Sequence, residues 1–462
     1  MVKLSAMDVE RRSFLATMVS AMSAQMIPPT EGASAADIRI MTYDPGHFHA
    51  ALLMKEMIPG VCNETWVYAP LGPDLSAHLN RVARFNLRKD RPTSWKVRVY
   101  AGEKAFETML AERPGNVAVF SGRNLGKIDR IAAAVKAGLH VLADKPWLIE
   151  AHEFPKLAGI LEEAEKRGVA AYDAMTQRFE ISCILQRELV RDRELLGSPK
   201  GVYMESVHYL LKTVAGAANQ RPPWFFDYRQ QGEGLTDVGT HLVDLVQWTL
   251  SPDEPLDYRK DVRVTGGRRW PTVISKANFQ RVTGEPDFPP YLAPDIRNGE
   301  LHYYCNNSVE YTLKGIPVRL DVKWDFEPGP GQSDTEVAIY SGSRADVEVR
   351  QGREENYRPE VYVVPKLPQE RGLVAAALNR RVQALQKDWP GVAVKESGPR
   401  FHVITPEKYR IGHEAHFALL TERFFQYVRQ PASLPRWENS FMLAKYFVTT
   451  QGVELARKTA NR

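Results

Sequence analysis

The run from Gly232 to Trp248 places Asp237, His241 and Asp244 four and three residues apart, so that on a helix they stand along one face. Apolar Val238, Leu242, Leu245, Val246 and Trp248 recur at three- and four-residue steps and predict that helix, with Thr236 and Asp237 as N-cap candidates. An imidazole one turn from a carboxylate holds a defined tautomer and exchanges a proton near neutral pH. Gly232 and Gly234, just before it, let backbone approach a ligand closely. The set suits acid–base chemistry, and it would serve equally as a helix cap and an internal histidine tied down by a carboxylate. A second segment, residues 138–147, follows a helical run over 128–137 and reads as a short buried strand ending in Asp144-Lys145-Pro146. In parallel α/β sheets ligands gather outside the carboxyl ends of the strands; Pro146 stops this strand and leaves the Lys145 ammonium in that crevice.

The two segments together resemble the Gfo/Idh/MocA family of NAD(P)-dependent oxidoreductases. Asp144-Lys145-Pro146 stands for the family's Glu-Lys-Pro strand end, with Asp in place of Glu. Asp237, Gly239, His241 and Asp244 fall on its Gly-Gly-x-x-x-Asp-x-Gly-x-His-x-x-Asp helix. The likeness covers most of the chain after residue 36, and the closing part, from Gly412-His413-Glu414 through Lys445-Tyr446, is similar to a subgroup with its own C-terminal domain. The resemblance implies an α/β Rossmann domain with a doubly wound parallel sheet over 36–178, followed by an α+β domain with a mainly antiparallel open sheet over 179–462. It also implies NAD or NADP as cofactor.

The elements that must position these residues can be read along the chain. Strands are expected at 38–43, 64–68, 96–100, 116–120 and 169–172 beside the one ending at Asp144, with a helix over 50–57 after the first. Between them lies Asp44-Pro45-Gly46-His47-Phe48-His49, an eroded phosphate loop: the Gly-x-Gly-x-x-Gly fingerprint would put glycines at 44, 46 and 49, and only Gly46 is present. The free N–H groups of the following helix can still bind phosphate, and His47 or His49 can add a donor. The second strand ends without the acid expected at the adenosine ribose; Asp74 is the nearest, while Arg81 or Arg84 would suit a 2′-phosphate, which leaves NAD and NADP open. Ser121 and Asn124, in the loop after the fourth strand, and Asp144, Lys145 and Arg178 complete the cofactor-facing set that the resemblance implies.

Before the Asp237 helix, Lys212, Arg221, Trp224 and Tyr228 are candidates to border a substrate with Asp237 and His241, Trp224 by stacking on a sugar ring or by packing in the core. Alternating runs at 200–208, 302–313, 317–326, 335–340 and 345–350 predict an antiparallel sheet. Residues 253–300 and 352–368 are rich in prolines and charges and read as long loops. Amphipathic helices close the chain over 414–429 and 439–457. His413, Glu414 and His416 read as a helix start, and no metal site is expected.

Bulk properties add limits. A length of 462 residues exceeds one ordinary core, and a net charge of +5 with interspersed acids and bases excludes a nucleic-acid footprint. Cys62, Cys183 and Cys305 lack metal-ligand spacing and form no evident disulfide framework. Glu10-Arg11-Arg12-Ser13-Phe14-Leu15, a short apolar run and Ala33-Ser34-Ala35 resemble a twin-arginine export signal over 1–35, too short and polar for a membrane span. The expected location is periplasmic or secreted, reached folded through the twin-arginine translocation machinery with a tightly bound nicotinamide already loaded. A homo-oligomer through the C-terminal sheet is a further expectation from the family.

The chemistry expected is hydride transfer between nicotinamide and a secondary alcohol of a sugar, glycoside or polyol. His241, oriented by Asp237, would be the base and Lys145 the oxygen-polarising cation, or the reverse. Two alternatives use the same residues: glycoside cleavage through a transient keto-sugar, and sugar binding without catalysis.

Overall fold

The computed structural model describes residues 37–460 apart from 215, 216 and 219, so the twin-arginine segment lies outside the described residues. The first domain is built on six strands, β1 (Ile40–Tyr43), β2 (Glu64–Ala69), β3 (Lys96–Ala101), β4 (Val117–Phe120), β5 (His140–Ala143) and β6 (Ala171–Asp173). All pair in parallel, in the order β3-β2-β1-β4-β5-β6. Alternate residues feed two separate cores: Ile40, Val117, Val119 and Leu142 enter one, and Met41, Ala118, Phe120, Val141 and Ala143 the other. Burial on both faces is what makes these strands near-continuous apolar runs. The strand order reverses between β1 and β4, which opens the ligand crevice at their carboxyl ends.

The helix after β1 is shorter than expected. It spans His49–Leu52 rather than 50–57. The carbonyls that would continue it are taken from outside: Trp95 Nε1 donates to Met54 O at 2.7 Å, and Arg88 donates to Lys55 O at 2.6 Å. Pro59, a few residues on, could not have continued the ladder.

The second domain carries an open sheet in which Val262–Ile274, Glu300–Leu313, Ile316–Asp325, β7 (Pro199–Tyr209), Thr335–Gly342, Ala345–Gln351, Glu360–Pro365, Arg400–Ile404 and Ala393–Ser397 follow one another. Only the contact of β7 with Ile316–Asp325 is parallel. Two expected loops are in fact structured. The 253–300 segment holds the strand Val262–Ile274 and the helix Lys276–Thr283, and the 352–368 segment holds the strand Glu360–Pro365. Gly267 is there for close approach, not for a turn: a Cβ on it would lie 2.4 Å from the Gly452 carbonyl of the terminal helix. That helix, Arg436–Ala460, reaches back to the first domain, where the Tyr446 hydroxyl accepts from Trp147 N at 3.0 Å and donates to Asp173 at 3.2 Å. No helix among the described residues is long and apolar enough to cross a membrane.

Candidate active site

The helix bearing the three ionisable groups starts earlier than its sequence suggests. A turn over Gly234–Asp237 runs into Gly239–Leu250, and Glu233, not Thr236 or Asp237, occupies the N-cap. Burial fixes this start. A Cβ on Gly234 would stand 2.0 Å from the Cys305 carbonyl, so only glycine lets the turn press on the strand Glu300–Leu313. Asn307 holds the turn from the same strand, accepting from Leu235 N and donating to the Glu233 carboxylate, each at 2.9 Å. Asp237 therefore sits inside the helix, with its carboxylate free to reach across the domain border.

It reaches Lys145. The ammonium donates to Asp237 in an ion pair that joins the end of β5 to the second-domain helix, and both side chains are largely buried. Burial alone would raise the Asp237 pKa; the Lys145 charge and hydrogen bond, with His47 and Arg221, together outweigh it and hold the carboxyl below its usual range. His241, one turn on, has a buried Nδ1 with no hydrogen-bond partner. Burial, reinforced by the Lys145 charge, presses its pKa well below the usual imidazole value. At neutral pH it is an uncharged base beside a cation. The expected Asp237–His241 hydrogen bond is replaced by the Lys145 pair, because a buried ammonium needs a carboxylate more than a neutral imidazole does.

Asp244 is also spent elsewhere. Arg178 donates to both its oxygens at 2.6 and 2.7 Å and to Glu438 at 2.9 Å, and Lys445 bridges Asp244 and Asp173 at 3.1 and 2.7 Å. Arg178, expected to face the cofactor, is instead a buried tie between the domain border and the terminal helix. Lys445 was missed in the sequence, where its signal is a lone lysine among Met442, Leu443, Ala444, Tyr446, Phe447 and Val448.

At the end of β5, Asp144 gathers the loop residues. His49 Nδ1 lies 2.9 Å, and Ser121 Oγ 3.2 Å, from Asp144 Oδ2; His47 Nδ1 lies 2.7 Å from the same oxygen but off the line of a hydrogen bond. Asn124 turns away and donates to the Gln231 carbonyl at 2.6 Å. Lys127, not anticipated, donates to the Asp144 and Pro146 carbonyls at 3.0 and 3.1 Å and pins the strand end. Next to Gly46, Arg123 pairs with Asp44 at 3.0 Å and Asp74 at 3.1 Å. Trp224 packs there too: its Nε1 donates to Asp74 at 2.9 Å, Arg123 lies 5.1 Å from its ring centre, and a Cβ on Gly46 would be 2.9 Å from the ring. The sugar-stacking role expected of Trp224 is thus taken over by contact with the phosphate loop.

The remaining substrate candidates form a rim. Lys212 and His208 share Asp334, and Arg221 donates to the Leu210 carbonyl at 2.8 Å while covering Phe225 and Trp324. Arg221 adds to the positive field on Asp237. Tyr228 lies between the guanidinium groups of Arg229, Arg269 and Arg457. His413, Glu414 and His416 do not converge: His413 meets His49, Glu414 pairs with Lys55, and His416 faces Glu180 at 3.5 Å.

A dinucleotide in this strand order would cross the ends of β1 and β4. The residues there fit one. Buried Asp144 Oδ1 and His241 Nδ1 lack protein partners, as polar atoms facing a ligand do, and Ser121 and Lys145 stand beside them. At the pyrophosphate end the cation is Arg123, for which a phosphate would compete with Asp44 and Asp74.

A family model described as "Putative oxidoreductase C terminal domain" matches residues 185–457. A solved structure from Parabacteroides merdae, described as a putative oxidoreductase, is 40% identical, with 92% of this chain and 99% of that one covered and a TM-score of 0.90. Two distant structures share the fold. GenD2 from gentamicin A biosynthesis, in complex with NAD, is 15% identical over 94% of this chain and 98% of its own, with a TM-score of 0.55. KijD10, a 3-ketoreductase from Actinomadura kijaniata in complex with TDP-benzene and NADP, is 13% identical over 91% and 96%, with a TM-score of 0.53. Nothing among curated proteins matches the sequence. The chain belongs to the family of oxidoreductases that carry this C-terminal domain.

Proposed function

We propose that this oxidoreductase uses NAD or NADP to interconvert a secondary alcohol and a ketone on a sugar, glycoside or polyol. The observation that supports it is the meeting of Lys145 and Asp237 across the domain border, one helical turn from the neutral, unpartnered His241. When bound, the nicotinamide supplies the hydride chemistry. Lys145 draws electron density from the substrate oxygen and stabilises its negative charge. Asp237 keeps the ammonium aimed, and His241 takes the hydroxyl proton at Nδ1 or returns it. The rim of Lys212, His208, Arg221 and Asp334 offers donors and an acceptor to a polyhydroxylated ring. Export in folded form, with the nucleotide loaded beforehand, belongs to the same proposal.

A non-catalytic sugar-binding relative is the competing reading, favoured by Asp44 and His49 at fingerprint glycine positions. Denaturing the purified protein and assaying the supernatant for NAD(H) and NADP(H) separates the two. About one nucleotide per chain is expected. Lys145→Met should keep that nucleotide and lose at least about a hundredfold in turnover across a panel of sugars and polyols. A protein that neither carries nor takes up either nucleotide refutes the proposal, as does unchanged turnover in Lys145→Met.

A further inference from the structure

The eroded phosphate loop is not merely short of glycine; it has gained ligating groups. His47 and His49 project from it onto one carboxylate, Asp144, and one ring nitrogen of each and a carboxylate oxygen all lie within 4.8 Å of one another. Their Nδ1 atoms lie 2.7 and 2.9 Å from Asp144 Oδ2, while His413 Nε2 meets the far edge of the His49 ring at 3.3 Å. Zinc–nitrogen and zinc–oxygen bonds of about 2.0–2.2 Å in a tetrahedral shell put ligand atoms about 3–3.5 Å apart, close to these separations.

A hydrogen-bonded triad alone leaves too much unpaid. Asp144 is 6% exposed, yet its Oδ1 has no partner, and His47 Nδ1 stands beside Oδ2 without forming a hydrogen bond. The neighbouring ammonium groups do not neutralise the carboxylate: Lys145 is paired with Asp237, and Lys127 bonds to the Asp144 and Pro146 carbonyls and to Asn124. The buried carboxylate presents Oδ2 to both imidazoles, and the three together are the donor set of a two-histidine, one-carboxylate zinc centre. The His47 side chain is 39% exposed, so the site has an open approach.

We propose that His47, His49 and Asp144 bind one divalent transition-metal ion, with the remaining position of the shell open to water. The donor set ranks zinc first. It would sit beside Lys145, over the carboxyl ends of β1, β4 and β5.

The test needs no turnover and no nicotinamide. Full-length protein purified without chelator is analysed for metals by mass spectrometry, then stripped with EDTA and titrated with Zn²⁺ by calorimetry and with Co²⁺ by visible absorption. About one equivalent is expected, with Co²⁺ giving the intense visible bands of a tetrahedral site of nitrogen and oxygen donors. His47→Ala and Asp144→Asn should weaken Zn²⁺ binding at least about tenfold. If Asp144→Asn does not fold, the partly exposed His47→Ala still decides. Absence of saturable binding, or a folded His47→Ala that binds Zn²⁺ as the wild type does, overturns the proposal; neither result touches the nicotinamide reading, which is scored on released nucleotide.

Discussion

Replacing Lys445 with methionine should cost the protein more stability than a single substitution in the terminal helix suggests. The ammonium is fully buried and bridges Asp173 and Asp244. Arg178 is the other cation in the cluster, paired with Asp244 and Glu438. Lys445→Met leaves one cation to serve three buried acids, with Asp173 keeping only the Tyr446 hydroxyl. Breaking a buried pair by removing one partner costs about 3–5 kcal/mol. With an unfolding entropy of about 2.1 cal/mol/K per residue, a chain of this size melts about 3–6 °C lower. Calorimetric melting at pH 7 measures the effect. The pH dependence has a definite sign. Burial would raise the Asp244 pKa, but Arg178 and Lys445 overcome that and bring it down to about 2. Its contribution is present above the unfolded value of 3.8 and is lost as pH falls through about 2, so the gap between variant and wild type should narrow on acidification. Adding Asp173→Asn to Lys445→Met removes the surplus anion and should recover part of the loss. A melting point within about 1 °C of wild type in Lys445→Met, or no gain in the double variant, refutes the reasoning.

Other outcomes follow from the same geometry. Because His241 titrates well below its usual range, kcat/KM should not fall as pH drops through 6.5; an inflection at that value, lost in His241→Gln, would show an ordinary imidazole instead. Gly234→Ala drives a Cβ into the Cys305 carbonyl and should destabilise by about 3 kcal/mol in urea unfolding, whereas a neutral effect would mean the turn can lift off its strand. His78 and His416, 1% and 4% exposed, are both lowered to about 4, chiefly by burial. The unfolded chain takes up these protons first, so stability is full above pH 6.5 and falls towards pH 4, by up to about 3 kcal/mol per histidine. Urea midpoints at pH 7 and 4.5 measure this, and equal midpoints would contradict it.

The parallel sheet and the position of Lys145 at a strand end were readable because fully buried strands write themselves as apolar runs, and Pro146 marks where one stops. The helix of Asp237 and His241 showed through its periodicity. What its residues bond to did not, since Lys145 lies ninety-two positions from Asp237 and only the folded chain joins them. The strand Val262–Ile274 was hidden by Gly266, Gly267, Arg268, Arg269 and Pro271, which imitate a loop; pairing with Glu300–Leu313 and the close pass of Gly452 override that local signal. Arg178 and Asp244 read as site residues by type and place. Their burial with Lys445 and Glu438 is a property of the terminal helix, which joins them from two hundred residues away. The histidines of the phosphate loop were visible as residues but not as a cluster, because Asp144 reaches them from another strand.

The terminal helix also limits how the crevice can open. It is bolted to the first domain through Tyr446 and Trp147 and to both domains through Lys445, and Arg457 adds a clamp by joining Glu150 to Glu233. Swinging the halves apart as jaws would tear all three fastenings at once. Opening the crevice by a hinge would therefore cost buried contacts that a rearrangement of side chains around it would not.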